Sequence, residues 1–283
     1  MNKTICYSLY VHPEDKPNKR FTTLLYSLET LFRHTSKPIF DVNVFLQGPK
    51  ILSDIIANRF PSVKINQLNY NFEENDYSYT LSKWYSIAEL TEYDRTLFLD
   101  CDTLFRRDCN YIFDKYSELD FYGIYDKYLD KDGNNLFWNK GNPVYINNEP
   151  LNYNKHVLGF NGINSGQMMF SKYTIESINK NRNDLIKNLN HFQEIIREYI
   201  KLNLFDDDSI HLSRWINEQF AGQKIIMDNN CSMGEFESND ISMSAVRSEW
   251  HDATITHYIS FCNFDIIPES FTKTVDNELE DHD

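Results

Sequence analysis

The alternation of hydrophobic periods through the first hundred residues constrains the fold of this 283-residue chain more than any other feature. Residues 4–11 are an apolar, β-branched and aromatic run of strand character, after which Phe21, Leu24, Leu25, Leu28, Leu31 and Phe32 recur at helical spacing. A strand-like stretch at 39–46, a short helix at 50–59 and a strand at 62–68 with Val63 and Ile65 on one side come next. Trp84, Ile87 and Ala88 give a helical face within 80–91, and Thr96 to Leu99 form a further strand. Helices between successive strands supply the crossovers that parallel pairing needs, so the pattern predicts an α/β fold with a largely parallel, doubly wound sheet. Ligands of such sheets bind at the carboxyl ends of the strands.

Beyond residue 107 the pattern loosens. Residues 120–125, 166–171, 223–227 and 253–259 read as strands, and 126–158 as a long loop or lid rich in Asn, Gly, Lys and aromatics. Leu185, Leu189, Phe192, Ile196 and Tyr199 mark one helix; Ile210, Trp215, Ile216 and Phe220 mark another. Asp276 to Asp283 read as a frayed acidic tail. No repeat and no Gly/Ser- or Pro-rich linker divides the chain, which predicts one continuous domain over 1–262, in two halves 1–107 and 108–262, with an extension at 263–283.

Charge and composition exclude several function classes. With 42 acidic and 28 basic side chains the net charge is −14, which repels phosphate backbones and argues against a nucleic-acid partner. No stretch approaches the ~18 apolar residues of a membrane span, and the N-terminus is too polar for a signal segment. The five cysteines contain no C-x-x-C pair, so a reducing, cytoplasmic setting is expected. Among nine glycines there is neither a G-x-G-x-x-G nor a phosphate loop.

Asp-x-Asp occurs at 100/102, 130/132, 206/208 and 281/283, but only Asp100 and Asp102 directly follow an apolar strand. Alternate residues at a strand end project the same way, so both carboxylates can approach one hard cation. Such a cation could hold a diphosphate that the acidic surface otherwise repels. A turn-capping role for the same pair is the alternative.

The stretch Lys83-Trp84 … Tyr93-Asp94-Arg95-Thr96-Leu97-Phe98-Leu99-Asp100-Cys101-Asp102-Thr103-Leu104 resembles the K-W … Y-D-R-x-x-Y-L-D-x-D-T-L block of GT-A glycosyltransferases. Phe160-Asn161-Gly162-Ile163-Asn164-Ser165-Gly166-Gln167-Met168-Met169-Phe170 resembles the F-N-S/A-G-V-M signature of glycosyltransferase family 8, the glycogenin and lipooligosaccharide galactosyltransferase group. His257 at the end of a late strand resembles that family's metal-binding histidine. The resemblance implies a single-domain GT-A, Rossmann-like fold, with a mostly parallel mixed sheet flanked by helices. It also implies a nucleotide-sugar-binding first half and an acceptor-binding second half.

By position, the resemblance implies that Asp100, Asp102 and His257 ligate Mn²⁺, or Mg²⁺, and that Asp100 also contacts the donor ribose. Tyr7, Ser8 and Tyr10 would form the base and ribose pocket of a nucleotide sugar, with UDP favoured. Lys83, Cys101, Asn164 and Gly166 would line the donor site. Asp207 and Asp208, the latter preferred, would orient the sugar or acceptor with Lys83 nearby. The activity implied is transfer of a hexose to a saccharide or glycoconjugate, with retention of configuration. Phe137, Trp138 and Tyr145 could wall the acceptor.

Each residue has a plainer alternative: Lys83 as an exposed lysine, Asn164-Ser165-Gly166 as a turn, His257 as a core histidine, Tyr7 and Tyr10 as sheet residues, and Asp207 and Asp208 as helix N-terminal caps. The family's H-x-x-G-x-x-K-P-W ending and the Gln after its helix-start Asp are both missing. A haloacid-dehalogenase-like phosphatase using Asp100 and Asp102 and a non-catalytic sugar-binding module remain the alternatives. The sequence does not specify an oligomeric state.

Overall fold

The structure, a computed structural model, describes residues 1–11, 19–69, 78–125, 138–139, 142–143, 145–146, 149–150, 163–183, 225–227, 254–257 and 267–280. The first half runs β1 (Lys3–Tyr10), α1 (Lys19–His34), β2 (Asp41–Gln47), α2 (Lys50–Arg59), β3 (Val63–Gln67), α3 (Ser78–Ala88) and β4 (Arg95–Leu99). The hydrophobic periods predict this order, and each of these elements begins and ends within a few residues of the expectation. After β4 come β5 (Thr103–Phe105), α4 (Asn110–Lys115) and β6 (Phe121–Tyr125). The short strands β7 (Trp138–Asn139), β8 (Asn142–Pro143), β9 (Tyr145–Ile146) and β10 (Glu149–Pro150) follow, then β11 (Ile163–Ser171), β12 (Ile225–Met227) and β13 (Ile255–His257).

The main sheet is ordered β12-β6-β11-β4-β1-β2-β3. β4, β1, β2 and β3 pair in parallel, as do β12 and β6, whereas β11 runs antiparallel to both β4 and β6. The α/β fold is therefore a mixed sheet, parallel in its first half. β5 leaves it to pair antiparallel with β13.

Both faces of the parallel half are covered, and strand alternation sorts the side chains between them. Ile5, Tyr7 and Leu9 of β1 and Val11 just past it, with Val42, Val44 and Leu46 of β2, pack under Leu24, Leu25, Leu28 and Leu31 of α1 and Leu52, Ile55 and Ile56 of α2. Cys6, Phe45, Phe98, Met168 and Phe170 face the opposite way, against Trp84, Ile87 and Ala88 of α3 and Ile175 and Ile178 of the helical segment 172–183.

The expectation of a frayed tail from Asp276 is corrected: a helix spans Glu269–Glu280. Val275 is fully buried, Phe271 meets Tyr26 edge-on at 5.1 Å, and Glu278 forms a salt bridge with Arg59 at 2.8 Å. The acidic residues lie on the outer face, so the composition hides a helix whose apolar positions 271, 275 and 279 recur every four residues. The helices expected around Leu185–Tyr199 and Ile210–Phe220 lie outside the described residues. So does most of 126–158, where the described pieces are the ladders β7–β8 and β9–β10.

Two polar features of this scaffold have measurable consequences. The Lys64 ammonium donates to Asp41 at 2.6 Å and to the Tyr93 hydroxyl at 3.0 Å, and Tyr93 donates to Asp41 at 2.9 Å. The Lys64 hydrogen bond, then that from Tyr93, hold the Asp41 carboxyl below its ordinary value. A depressed carboxylate stabilises the fold above its unfolded pKa of about 3.9, and that contribution is lost as pH falls through the folded value. An NMR titration is expected to place the Asp41 midpoint below that of a free aspartate, and Lys64→Met is expected to restore it.

Gln167 of β11 is wholly buried, and neither atom of its side-chain amide has a hydrogen-bond partner among the described residues. An orphaned buried polar group costs about 1–3 kcal/mol. Gln167→Met keeps the length without the amide and is expected to raise the thermal unfolding midpoint. A lowered midpoint would show that the amide is partnered in solution.

Candidate functional site

The site grows from the carboxyl ends of β1 and β4, which lie side by side with Tyr7 in register with Leu99. Asp100 is the first residue past β4, and its N–H donates to the Gly166 carbonyl of β11 at 2.8 Å. β11 can make this bond because its pairing with β6 is irregular between Asn164 and Met168, leaving the intervening residues to follow β4 instead. The turn reading of Asn164-Ser165-Gly166 is thus replaced by an irregular strand, and Gly166 is joined directly to Asp100.

Asp100, Cys101 and Asp102 lie on a tight turn between β4 and β5, not on alternate positions of one strand. The Thr103 hydroxyl closes the turn by donating to the Asp100 carbonyl at 2.9 Å. Lys83 projects from α3 to place its ammonium 3.5 Å from the Asp100 carboxylate, and 5.7 Å from the centre of the Phe98 ring. Lys83 is only 6% exposed, so it is not the surface lysine of the plainer reading. Burying an ammonium is costly unless an anion meets it, and the Asp100 side chain, one-third exposed, does so at the rim.

Ser8 extends the site along β1. Its hydroxyl donates to the Ser82 hydroxyl at 3.0 Å and accepts from Ser86 at 2.9 Å, while its carbonyl accepts from the Cys101 thiol at 3.5 Å. Burial pushes the Cys101 thiol up, and the flanking Asp100 and Asp102 carboxylates add to the effect, so the sulfur stays protonated and is a poor metal ligand. Ser82, Ser86 and Thr103 were not singled out in the sequence. The available signal was the i, i+4 spacing of the two serines around Lys83 on the α3 face that meets β1.

Not all of the expected donor residues gather here. Tyr7 is fully buried on the α1 side, its hydroxyl sharing a hydrogen bond with Ser27 at 2.9 Å. Its side chain is therefore core, and Ser8 and half-buried Tyr10 alone point to the α3 side. The backbone of His257 stands in register with Thr103, one residue from Asp102. Asp207 and Asp208 lie outside the described residues. Among the described residues no group of three His, Cys, Asp or Glu side chains gathers to hold a metal. Asp100 and Asp102 each offer hard carboxylate oxygens, the donor type that Mn²⁺ and Mg²⁺ accept.

No family model matches the chain, and no curated protein matches its sequence. Solved structures do match its fold. The galactosyltransferase LgtC, in complex with donor and acceptor sugar analogues, superposes with a TM-score of 0.55 at 14% identity, over 97% of this chain and 95% of that one. The fold is that of the GT-A glycosyltransferases. Mouse xyloside xylosyltransferase 1 shares this GT-A architecture with a TM-score of 0.52 at 11% identity, over 93% of this chain and 98% of its own. GlyE of Streptococcus pneumoniae matches with a TM-score of 0.51 at 14% identity, over 92% of this chain and 55% of its own. In this GT-A chain, no described helix is long and apolar enough to cross a membrane.

The ion pair with Lys83 gives Asp100 a measurable part in stability. Asp100→Asn removes a charge from buried Lys83 and is expected to cost about 1 kcal/mol or more, the low end for a buried pair because Asp100 is partly exposed. Denaturant unfolding of the variant checks this, and an unchanged stability would mean that Lys83 does not depend on Asp100.

Proposed function

We propose that the chain is a metal-dependent glycosyltransferase that moves a hexose from a nucleoside diphosphate sugar, UDP-linked by preference, to a saccharide or glycoconjugate with retention. The observation that carries this reading is the position of Asp100. It stands where β4 meets the irregular β11, fixed through its backbone by Gly166 and through its side chain by Lys83. A preorganised carboxylate at the carboxyl end of a strand in a GT-A fold supports a donor site there.

Asp100, Asp102 and His257 would hold Mn²⁺ or Mg²⁺, which supplies Lewis-acid stabilisation of the departing diphosphate. Ser8 and Tyr10, on the α3 side of β1, are suited to the base and ribose, with Asn164 and Gly166 lining the sugar. Lys83 orients Asp100 and offers positive charge beside the phosphates. Its burial keeps the ammonium poorly hydrated, which strengthens both interactions. Asp208, with Asp207, would orient the sugar or its acceptor, and Trp138 and Tyr145 would wall the acceptor. The domain halves follow this division, 1–107 for donor and 108–262 for acceptor, in a cytoplasmic protein.

The phosphatase alternative is less well supported. Haloacid-dehalogenase-like enzymes place their aspartates after the first strand, whereas Asp100 follows β4, beside the antiparallel β11.

The test is incubation with Mn²⁺ and a panel of nucleotide sugars, monitoring nucleoside diphosphate release and, by calorimetry, donor binding. Binding of at least one UDP-sugar is expected, lost on adding EDTA and in Asp102→Ala, because a chain of charge −14 without the family's C-terminal lysine has little else to meet a diphosphate. Failure to bind any nucleotide sugar overturns the transferase reading, and phosphatase turnover abolished by Asp100→Asn would favour the alternative. Lys83→Met is expected to reduce turnover by about tenfold to a hundredfold, corresponding to roughly 1.4–2.7 kcal/mol of transition-state stabilisation.

A further inference from the structure

α3 packs over β1 and leaves the β2–β3 part of the same sheet face uncovered by that helix. There the strands are paved with polar side chains. Asn43, 3% exposed, donates to the Thr4 and Tyr93 hydroxyls at 2.9 and 3.0 Å and accepts from the Asn66 amide at 3.0 Å. Every hydrogen-bonding atom of the Asn43 side chain is engaged, and the Asn66 amide is held to it through its nitrogen. Above this floor lies a groove of about 690 Å³, lined by Asn43, Phe45, Asn66, Asn69, Glu89 and Glu92 among others. That volume falls within the range of small-molecule sites.

Its chemistry restricts the occupant. The nearby cations are matched to anions: Arg182 bridges Glu89 at 2.7 Å and Lys64 bridges Asp41 at 2.6 Å. A phosphate or nucleotide would find no cation among the lining residues and the Glu92 carboxylate to repel it, with Glu89 already matched by Arg182. The Glu89 and Glu92 carboxylates are acceptors, and the Asn66, Gln67 and Asn69 amides carry both donors and acceptors, so a ligand whose groups both donate and accept meets partners of each kind. Neutral amides beside acceptors suit hydroxyl groups better than a concentrated positive charge. We propose that this groove is an accessory binding site for a neutral saccharide, separate from the Asp100 turn. It would hold a part of the glycan distant from the bond being made, and this role rests on the transferase reading above.

Saturation-transfer NMR on the full chain, with maltotetraose, cellotetraose and chitotetraose as probes, tests the site. At least one tetrasaccharide is expected to bind, with affinity reduced about tenfold in Asn66→Trp and in Glu92→Arg, the loss of one or two net hydrogen bonds. Binding is expected to be unchanged in Asp102→Ala. Two variants at opposite parts of the groove guard against misfolding of either, and their folding is checked by circular dichroism. The proposal is overturned if no tetrasaccharide binds, if spermine binds the groove and the sugars do not, or if binding is lost in Asp102→Ala and kept in both groove variants. Groove binding by a protein that binds no nucleotide sugar would retain the site and overturn only the transferase reading. Donor binding without tetrasaccharide binding would do the reverse.

Discussion

The bond from the Asp100 N–H to the Gly166 carbonyl is the joint on which the site depends. β4 is the last strand of the parallel run β3-β2-β1-β4, and β11 is the antiparallel strand that joins this run to β6 and β12, so the two parts of the sheet meet at this seam. A regular β11 would keep all of its backbone in register with β6. The irregularity between Asn164 and Met168 lets it follow β4 one residue beyond the strand's end. The Asp-Cys-Asp turn is thus anchored at its first residue by backbone and closed at its far side by Thr103. Rigid placement of this kind reduces the reorganisation needed when a charged ligand arrives.

The polar groups of the α3 face are organised in two different ways. Near the carboxyl ends, Ser8, Ser82 and Ser86 form a small network beside buried Lys83, whose charge is met by Asp100 at the rim. Toward β3, Asn43, Lys64, Asn66, Asp41 and Tyr93 satisfy one another almost completely. The exceptions are the Trp84 indole N–H and the Thr96 hydroxyl on this face, and on the strand that anchors Asp100 the buried amide of Gln167, all without a partner among the described residues. Departures from full hydrogen bonding in an otherwise consistent structure concentrate at functional or strained places.

Much of the first half was legible because its elements are long enough to show a period. α1, α2 and α3 each carry an apolar face, and the strands between them are β-branched and aromatic. β5 and α4 were not legible, since three and six residues are too few to display one. The C-terminal helix was missed because charge count masked the spacing of Phe271, Val275 and Leu279. Tyr7 and Ser8 show a different limit. Both faces of β1 are buried, so alternation could not say which of two adjacent residues belongs to the core and which to the crevice.

By itself, the sequence determined the α/β class, the order of the first four strands and the place of Asp100 and Asp102 at a strand's end, because these follow from local periodicity and from where an apolar run stops. Only the tertiary structure decided that Lys83 is buried against Asp100, that Tyr7 turns inward, that Asn164 to Gly166 form an irregular strand, and that His257 comes into register beside Asp102. Each of these depends on pairing between segments far apart in the chain. Pairing of that kind is set by the register and packing of the whole sheet and leaves no local pattern in the residues that take part.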